Sequence, residues 1–280
     1  VDAGNNVSLG SFDGNIEWDN SLTAQNNVSL LAHQGSVAVK GSVEAKQGYV
    51  TVSAFDNEPN DNDGNVTVWG TIKSGKDTTL YSKNGNITVV SSMDDQAKVE
   101  AGQDVIVKVA DTASGDIVLD GDIDAGQDVK LETMDGAIVV GGDVDAGQDI
   151  KTTSASGAIG LLGDIDAGQD VIAQTQGTGM IWLNWVDDQL VDIGDKPGDV
   201  YAGRNVDLSV ENGSIIVNGQ VTADIGNVIA TAEDGYIGFR ASVEAGSKDS
   251  DPDSGNVIAF VKKGDIDVGE DIIAQNNVIM

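Results

Sequence analysis

The stretch GDIDAGQDVKLETMDGAIVVG, residues 121–141, runs directly into GDVDAGQDIKTTSASGAIGLL, residues 142–162, and then into GDIDAGQDV from Gly163. Gly121, Gly142 and Gly163 mark a step of 21 residues. Inside each step the apolar residues alternate with polar ones in three short runs, the period of a strand with one buried face. The glycines and Asn or Asp residues between the runs are turn formers. A unit of this size cannot bury its own apolar face, so it must stack on copies of itself.

Worked outward, the unit reads x-[VI]-x-A-G-x-[DN]-[VI]-x-[LVA]-x-[AST]-x-x-G-x-[IV]-x-[VL]-x-G. It starts at Ser21, Ser42, Thr71, Lys98, Asp122, Asp143, Asp164, Asp199, Gln220, Ser242 and Asp271, with a partial unit at Val1. Parallel stacking in register places like residues above one another and points them inward. The first strand then stacks Val43, Val99, Ile123, Val144, Ile165, Val200 and Val221. Two residues on it stacks Ala45, Ala101, Ala125, Ala146, Ala167, Ala202 and Ala223. The second stacks Val28, Val50, Val105, Val129, Ile150, Val171, Val206 and Val228. The third stacks Val37, Val66, Ile87, Ile117, Ile138, Ile159, Ile215 and Ile237.

The expected fold is all-β, a right-handed parallel β-helix (solenoid) with about three short strands per ~21-residue coil. Residues 1–280 read as one continuous β-helix segment of a longer repeat protein, roughly 55 Å long at ~4.8 Å per coil. The chain enters and leaves in mid-coil, and the natural protein is expected to continue. Longer units place their extra residues near 55–63, 91–97, 182–198 and 246–254, where binding specificity is expected to lie.

Composition narrows the function. Fifteen Lys plus Arg against 46 Asp plus Glu give a formal charge of −31, which repels phosphate backbones and anionic membrane surfaces. Nucleic acid is not an expected partner. Cysteine is absent, which removes disulfides, thiolate metal sites and thiol nucleophiles. No apolar run approaches the roughly 20 residues that span a bilayer, so no membrane insertion is expected in this segment.

The units carrying A-G-x-D-[VI], as at residues 101–105 and 125–129, resemble the repeats of filamentous haemagglutinin-like exoproteins. That resemblance covers nearly the whole chain. It implies a right-handed β-helix secreted by a Gram-negative bacterium through two-partner export and carrying an adhesive function. The chain departs from the family in its heavy Asp content, and no family site transfers to it. The functional expectation is an extracellular structural stalk or adhesin segment of a large secreted surface protein, supporting cell attachment or biofilm. The alternative is a self-assembling subunit of an extracellular fibre. Expected partners are a host or neighbouring-cell surface, glycans, or other copies of the chain.

Parallel β-helices also include polysaccharide lyases and hydrolases, which need clustered acids with Arg or Lys in a groove. Here the few basic residues are scattered. The single histidine, His33, falls in a short turn after a second strand and reads as a surface residue. No enzymatic activity is expected, and no cofactor is required.

Ca²⁺ is the one candidate ion. Asp122, Asp143 and Asp164 should stack about 4.8 Å apart, as should Asp124, Asp145 and Asp166. Solvation and salt screening are the simpler account of both columns. Asp249, Asp251 and Asp253 have the alternation of a calcium loop, but the glycine at Gly255 and Phe260 at the twelfth position exclude an EF-hand. A further column, Asp104, Asp128, Asp149 and Asp170 with Asn6, Asn27, Asn205 and Asn227, reads as a turn ladder satisfying backbone groups. Trp182 and Trp185, beside Asp187 and Asp188, are candidates for stacking on sugar rings. A local cover folded over the coils is the plainer reading of that insertion. Finally, Ile106, Ile172, Ile229, Ile258 and Ile279, with Val118, Val139, Trp182 and Ile216, alternate with inward residues and should face outward as apolar rows.

Overall fold

The computed structural model describes residues 1–56, 64–91, 97–110, 114–184, 198–246 and 255–280. Their regular structure is all strand and, where register is resolved, all pairing is parallel. The chain divides into two compact units, Val1–Gly142 and Asp143–Met280, and each is a parallel β-helix.

In the first unit, the first strands of successive coils pair in the order Asp2–Ala3, Leu22–Ala24, Val43–Ala45, Thr71–Ser74, Lys98–Ala101 and Asp122–Ala125. The second strands run from Val7–Ser11 through Val50–Ala54 to Val129–Thr133, and the third from Ile16–Trp18 to Ile138–Val140. Insertions leave the register intact. Val66 still pairs with Val37 and Ile87 although residues 57–63 precede it.

The second unit starts with the same three files, at Val144–Ala146, Ile150–Ser154 and Ile159–Leu161. From Val206 onward it departs from three strands per coil. The second and third strands merge into twelve-residue strands, Val206–Val217, Val228–Phe239 and Val257–Val268. Their corners match in length, so pairing continues through them, with Gly213 opposite Gly235 and Gly235 opposite Gly264. The alternation of burial still breaks at Glu211 and Asn212, which keeps two inward-facing runs within one strand.

Every residue of the inward columns is buried, from Val43 and Ile123 in the first file to Val129, Ile150 and Ile138 in the others. Leu22, Ile72 and Val243 are buried in the first file as well. Each buried Val, Leu or Ile contributes about 1.5–3 kcal/mol, and it does so only when coils lie above and below it.

The repeated glycines have a steric cause. A Cβ on Gly126 would lie 2.3 Å from the carbonyl oxygen of Gly102, and one on Gly136 would lie 2.0 Å from that of Gly115. In the second unit a Cβ on Gly203 would lie 2.1 Å from the oxygen of Gly168. Backbone passes directly over backbone at these corners, leaving no room for a side chain. Beside the second corner, buried hydroxyls satisfy the turn: Ser82 Oγ donates to Gly64 O and accepts from Gly85 N, and Thr133 Oγ1 donates to Gly115 O.

Candidate functional site

A coil corner breaks the strand ladder and leaves backbone N–H groups in need of acceptors. The Asn and Asp column meets that need. In the first unit Asn6 Oδ1 accepts from Asn27 N at 3.1 Å, Asn27 Oδ1 from Tyr49 N, Asp77 Oδ1 from Asp104 N and Asp104 Oδ1 from Asp128 N. In the second unit the chain of acceptors runs from Asp149 through Asp170, Asn205 and Asn227 to Asn256 N. Each side chain serves the backbone of the next coil at its own register position, as the turn-ladder reading expected.

The column considered for Ca²⁺ has the same architecture. Asp143 Oδ1 accepts from Asp164 N at 2.8 Å, Asp164 Oδ1 from Asp199 N at 2.7 Å, and Asp199 Oδ1 from Gln220 N at 2.9 Å. One carboxylate oxygen of each is therefore committed to a charge-assisted hydrogen bond, shorter and stronger than a neutral one. Plain solvation does not describe these residues. A third ladder, Asn15, Ser36, Asn65, Asn86 and Asp116, climbs the first unit in the same way.

Asp124, Asp145 and Asp166 occupy outward positions on the first strands. Asp124 Oδ2 lies 3.8 Å from Lys98 Nζ, and Asp145 is directly opposite Asp166, which in turn faces Tyr201. Among the described residues no three acidic or imidazole side chains converge as a metal site would require. Asp249, Asp251 and Asp253, and Trp185 with its neighbours, lie outside the described residues.

Four lysines of the first unit form short ion-pair chains. Glu100 pairs with both Lys73 and Lys98, and Glu132 with Lys108 and Lys130. The hydrogen bond from Lys73, followed by that from Lys98, holds the Glu100 carboxyl below its ordinary pKa. Such surface pairs neutralise local charge and contribute little stability.

Trp182 is half-buried and stands between Gly160 and Ile216 in register. The outward apolar rows are half-exposed at Ile106, Ile172, Ile229 and Ile258, at Val118, Val139 and Ile216, and open at Ile279.

Two features were not read from the sequence. His33 is an exposed turn residue, as expected, but its ring sits 5.6 Å from Phe12 and 6.2 Å from Phe55, and Phe55 is 4.9 Å from Tyr81. Placing the residue after each second strand in one column would have revealed Phe12, His33 and Phe55. The other is Asp207, whose half-buried carboxyl is pushed above its ordinary pKa by loss of solvent. It stands between Ile172 and Ile229 on the adjoining coils.

No model of a known protein family, no curated protein and no solved structure matches the chain. No helix among the described residues is long and apolar enough to cross a membrane.

Proposed function

We propose that the chain is an extracellular structural segment, a stalk or adhesin portion of a large secreted bacterial surface protein that supports attachment. The observation that carries this reading is where the chemistry-bearing side chains are used. The Asp and Asn columns serve the backbone of the neighbouring coil, so the polar repeat maintains stacking. The sequence resemblance of the A-G-x-D-[VI] units to filamentous haemagglutinin-like repeats supports the same role, and with it secretion by a Gram-negative bacterium. The chain acts without catalysis and needs no resident cofactor. Ca²⁺ is the ion to test, at Asp145 and Asp166 of the second unit.

The test is attachment. Beads coated with the purified chain should adhere to host or bacterial cells, or to a panel of immobilised glycans, more than beads coated with an acidic control protein of equal charge. Equal adhesion would remove the adhesin reading. The second reading, a self-assembling fibre subunit, is favoured by the outward isoleucines of the second unit, which stack as Ile229, Ile258 and Ile279. Filaments seen by electron microscopy of the purified chain would select it.

A further inference from the structure

The outward row on the second strands of the Asp143–Met280 unit begins Lys151, Ile172, Asp207, one residue per coil. These three positions are mutually in register, so Lys151 and Asp207 stand one coil to either side of Ile172, roughly 10 Å apart at ~4.8 Å per coil. That distance forbids an ion pair between them within one chain. Among the described residues neither side chain makes a hydrogen bond or ion pair. Lys151 is exposed, whereas Asp207 is half-buried between isoleucines and its carboxyl is destabilised as an anion by burial.

We infer that this row is a two-fold contact between two copies of the chain, packed with opposite coil order about an axis that lies along the strand of Ile172. The axis sets Ile172 on Ile172. It also brings Lys151 of each copy onto Asp207 of the other, giving two identical ion pairs around an apolar centre, the self-complementarity that an isologous interface demands. The neighbouring outward row, Thr153, Gln174 and Ser209, is neutral and polar, so it meets its own copy without charge conflict. The other two-fold arrangement, with the axis along the coil stack, would place Lys151 on Lys151 and Asp207 on Asp207. Like charges in contact reject it.

The carboxylate that has lost water without gaining a cation is the one that gains most. Three facing coils cover less than the roughly 800 Å² per partner of standard complexes, so the dimer is weak and concentration-dependent. It is favoured where copies are held at high local concentration. The inference does not depend on what the chain attaches to.

Sedimentation equilibrium at about 0.15 M salt, where charges beyond ~8 Å are screened, tests it with the intact chain. The native chain should show a reversible monomer–dimer equilibrium. Lys151→Asp and Asp207→Lys should each weaken dimerisation at least about tenfold, as expected when close charge pairs are reversed. An equimolar mixture of the two variants should dimerise again, and so should the double variant K151D/D207K. Circular dichroism of each variant checks that the coils remain folded. A native chain that stays monomeric up to millimolar concentration would overturn the inference, as would association that neither reversal changes. Failure of the mixture and of the double variant to recover would overturn it equally. Adhesion of coated beads is scored separately, so loss of the dimer with adhesion intact leaves the attachment reading standing.

Discussion

Replacing Gly136 by alanine tests the claim that coil spacing is set by backbone contact at the corners. The new Cβ would sit 2.0 Å from Gly115 O and 2.5 Å from Gly115 C, short of the ~3.5 Å of an ordinary contact by about 1.5 Å. Gly136 is buried and surrounded by backbone, so no side chain can swing aside. The two coils must part. Three hydrogen bonds span that gap: Thr133 Oγ1 to Gly115 O at 2.9 Å, Ala137 N to Asp116 Oδ1 at 2.7 Å, and Ile117 N to Ala137 O at 2.9 Å. A separation of about 1 Å takes each beyond effective bonding distance. At roughly 1 kcal/mol net per bond, with a further penalty for buried groups left unpaired, the substitution should cost about 3–5 kcal/mol. Gly10 is the control. Its Cβ would meet nothing nearer than 3.9 Å, so Gly10→Ala should be neutral or stabilise by about 0.5–1 kcal/mol through the backbone entropy of glycine. Urea denaturation followed by circular dichroism compares the midpoints. If Gly136→Ala shifts the midpoint no further than Gly10→Ala, close corner packing is not what the glycines provide.

Asp164→Ala removes the acceptor for Asp199 N and should lower stability by about 1–3 kcal/mol, whereas Asp164→Asn keeps an oxygen in place and should cost less; thermal unfolding of both, in Ca²⁺ and in chelator, separates the ladder role from ion binding. Leu131, fully buried, should cost about 2–5 kcal/mol when truncated to alanine, read from the urea midpoint. Because Lys73 and Lys98 hold the Glu100 pKa below its ordinary 4.5, the pairs stabilise the fold above that pH and lose their contribution as pH falls through the folded value. Glu100→Gln should therefore lower the urea midpoint slightly at pH 7, by an amount that shrinks as the pH falls through the folded value.

Much of the fold was legible because its cause is periodic. Val129 and Ile138 recur one coil later as Ile150 and Ile159, and a one-residue slip would expose the whole set, so the columns fix the register. The turn ladder was legible for the same reason, as Asn and Asp share one capability, an oxygen placed to accept from the backbone. The use of Asp143 and Asp164 in a second ladder was less visible. Carboxylates in a column suggest repulsion or a cation until the N–H groups facing them are located. The merging of strands at Val206–Val217 depends on the equal length of neighbouring corners, a comparison between coils that no single unit displays. Of the row at Lys151, Ile172 and Asp207, the sequence pattern marks only Ile172, as one of the outward apolar positions. The meaning of the row appears only when burial shows which charge lacks water.

The corner ladders also bear on how each unit would respond to mechanical load. Hydrogen bonds between coils point along the direction of stacking, so tension in that direction acts on the junction between one coil and the next. At such a junction the bond from Asp199 N to Asp164 Oδ1 lies beside the main-chain bond from Ile165 N to Asp199 O, at 2.7 and 2.9 Å. The two share the strain in parallel. The corner, where a peel would otherwise start, is thereby reinforced, and resistance to pulling depends on the rate at which the first junction opens.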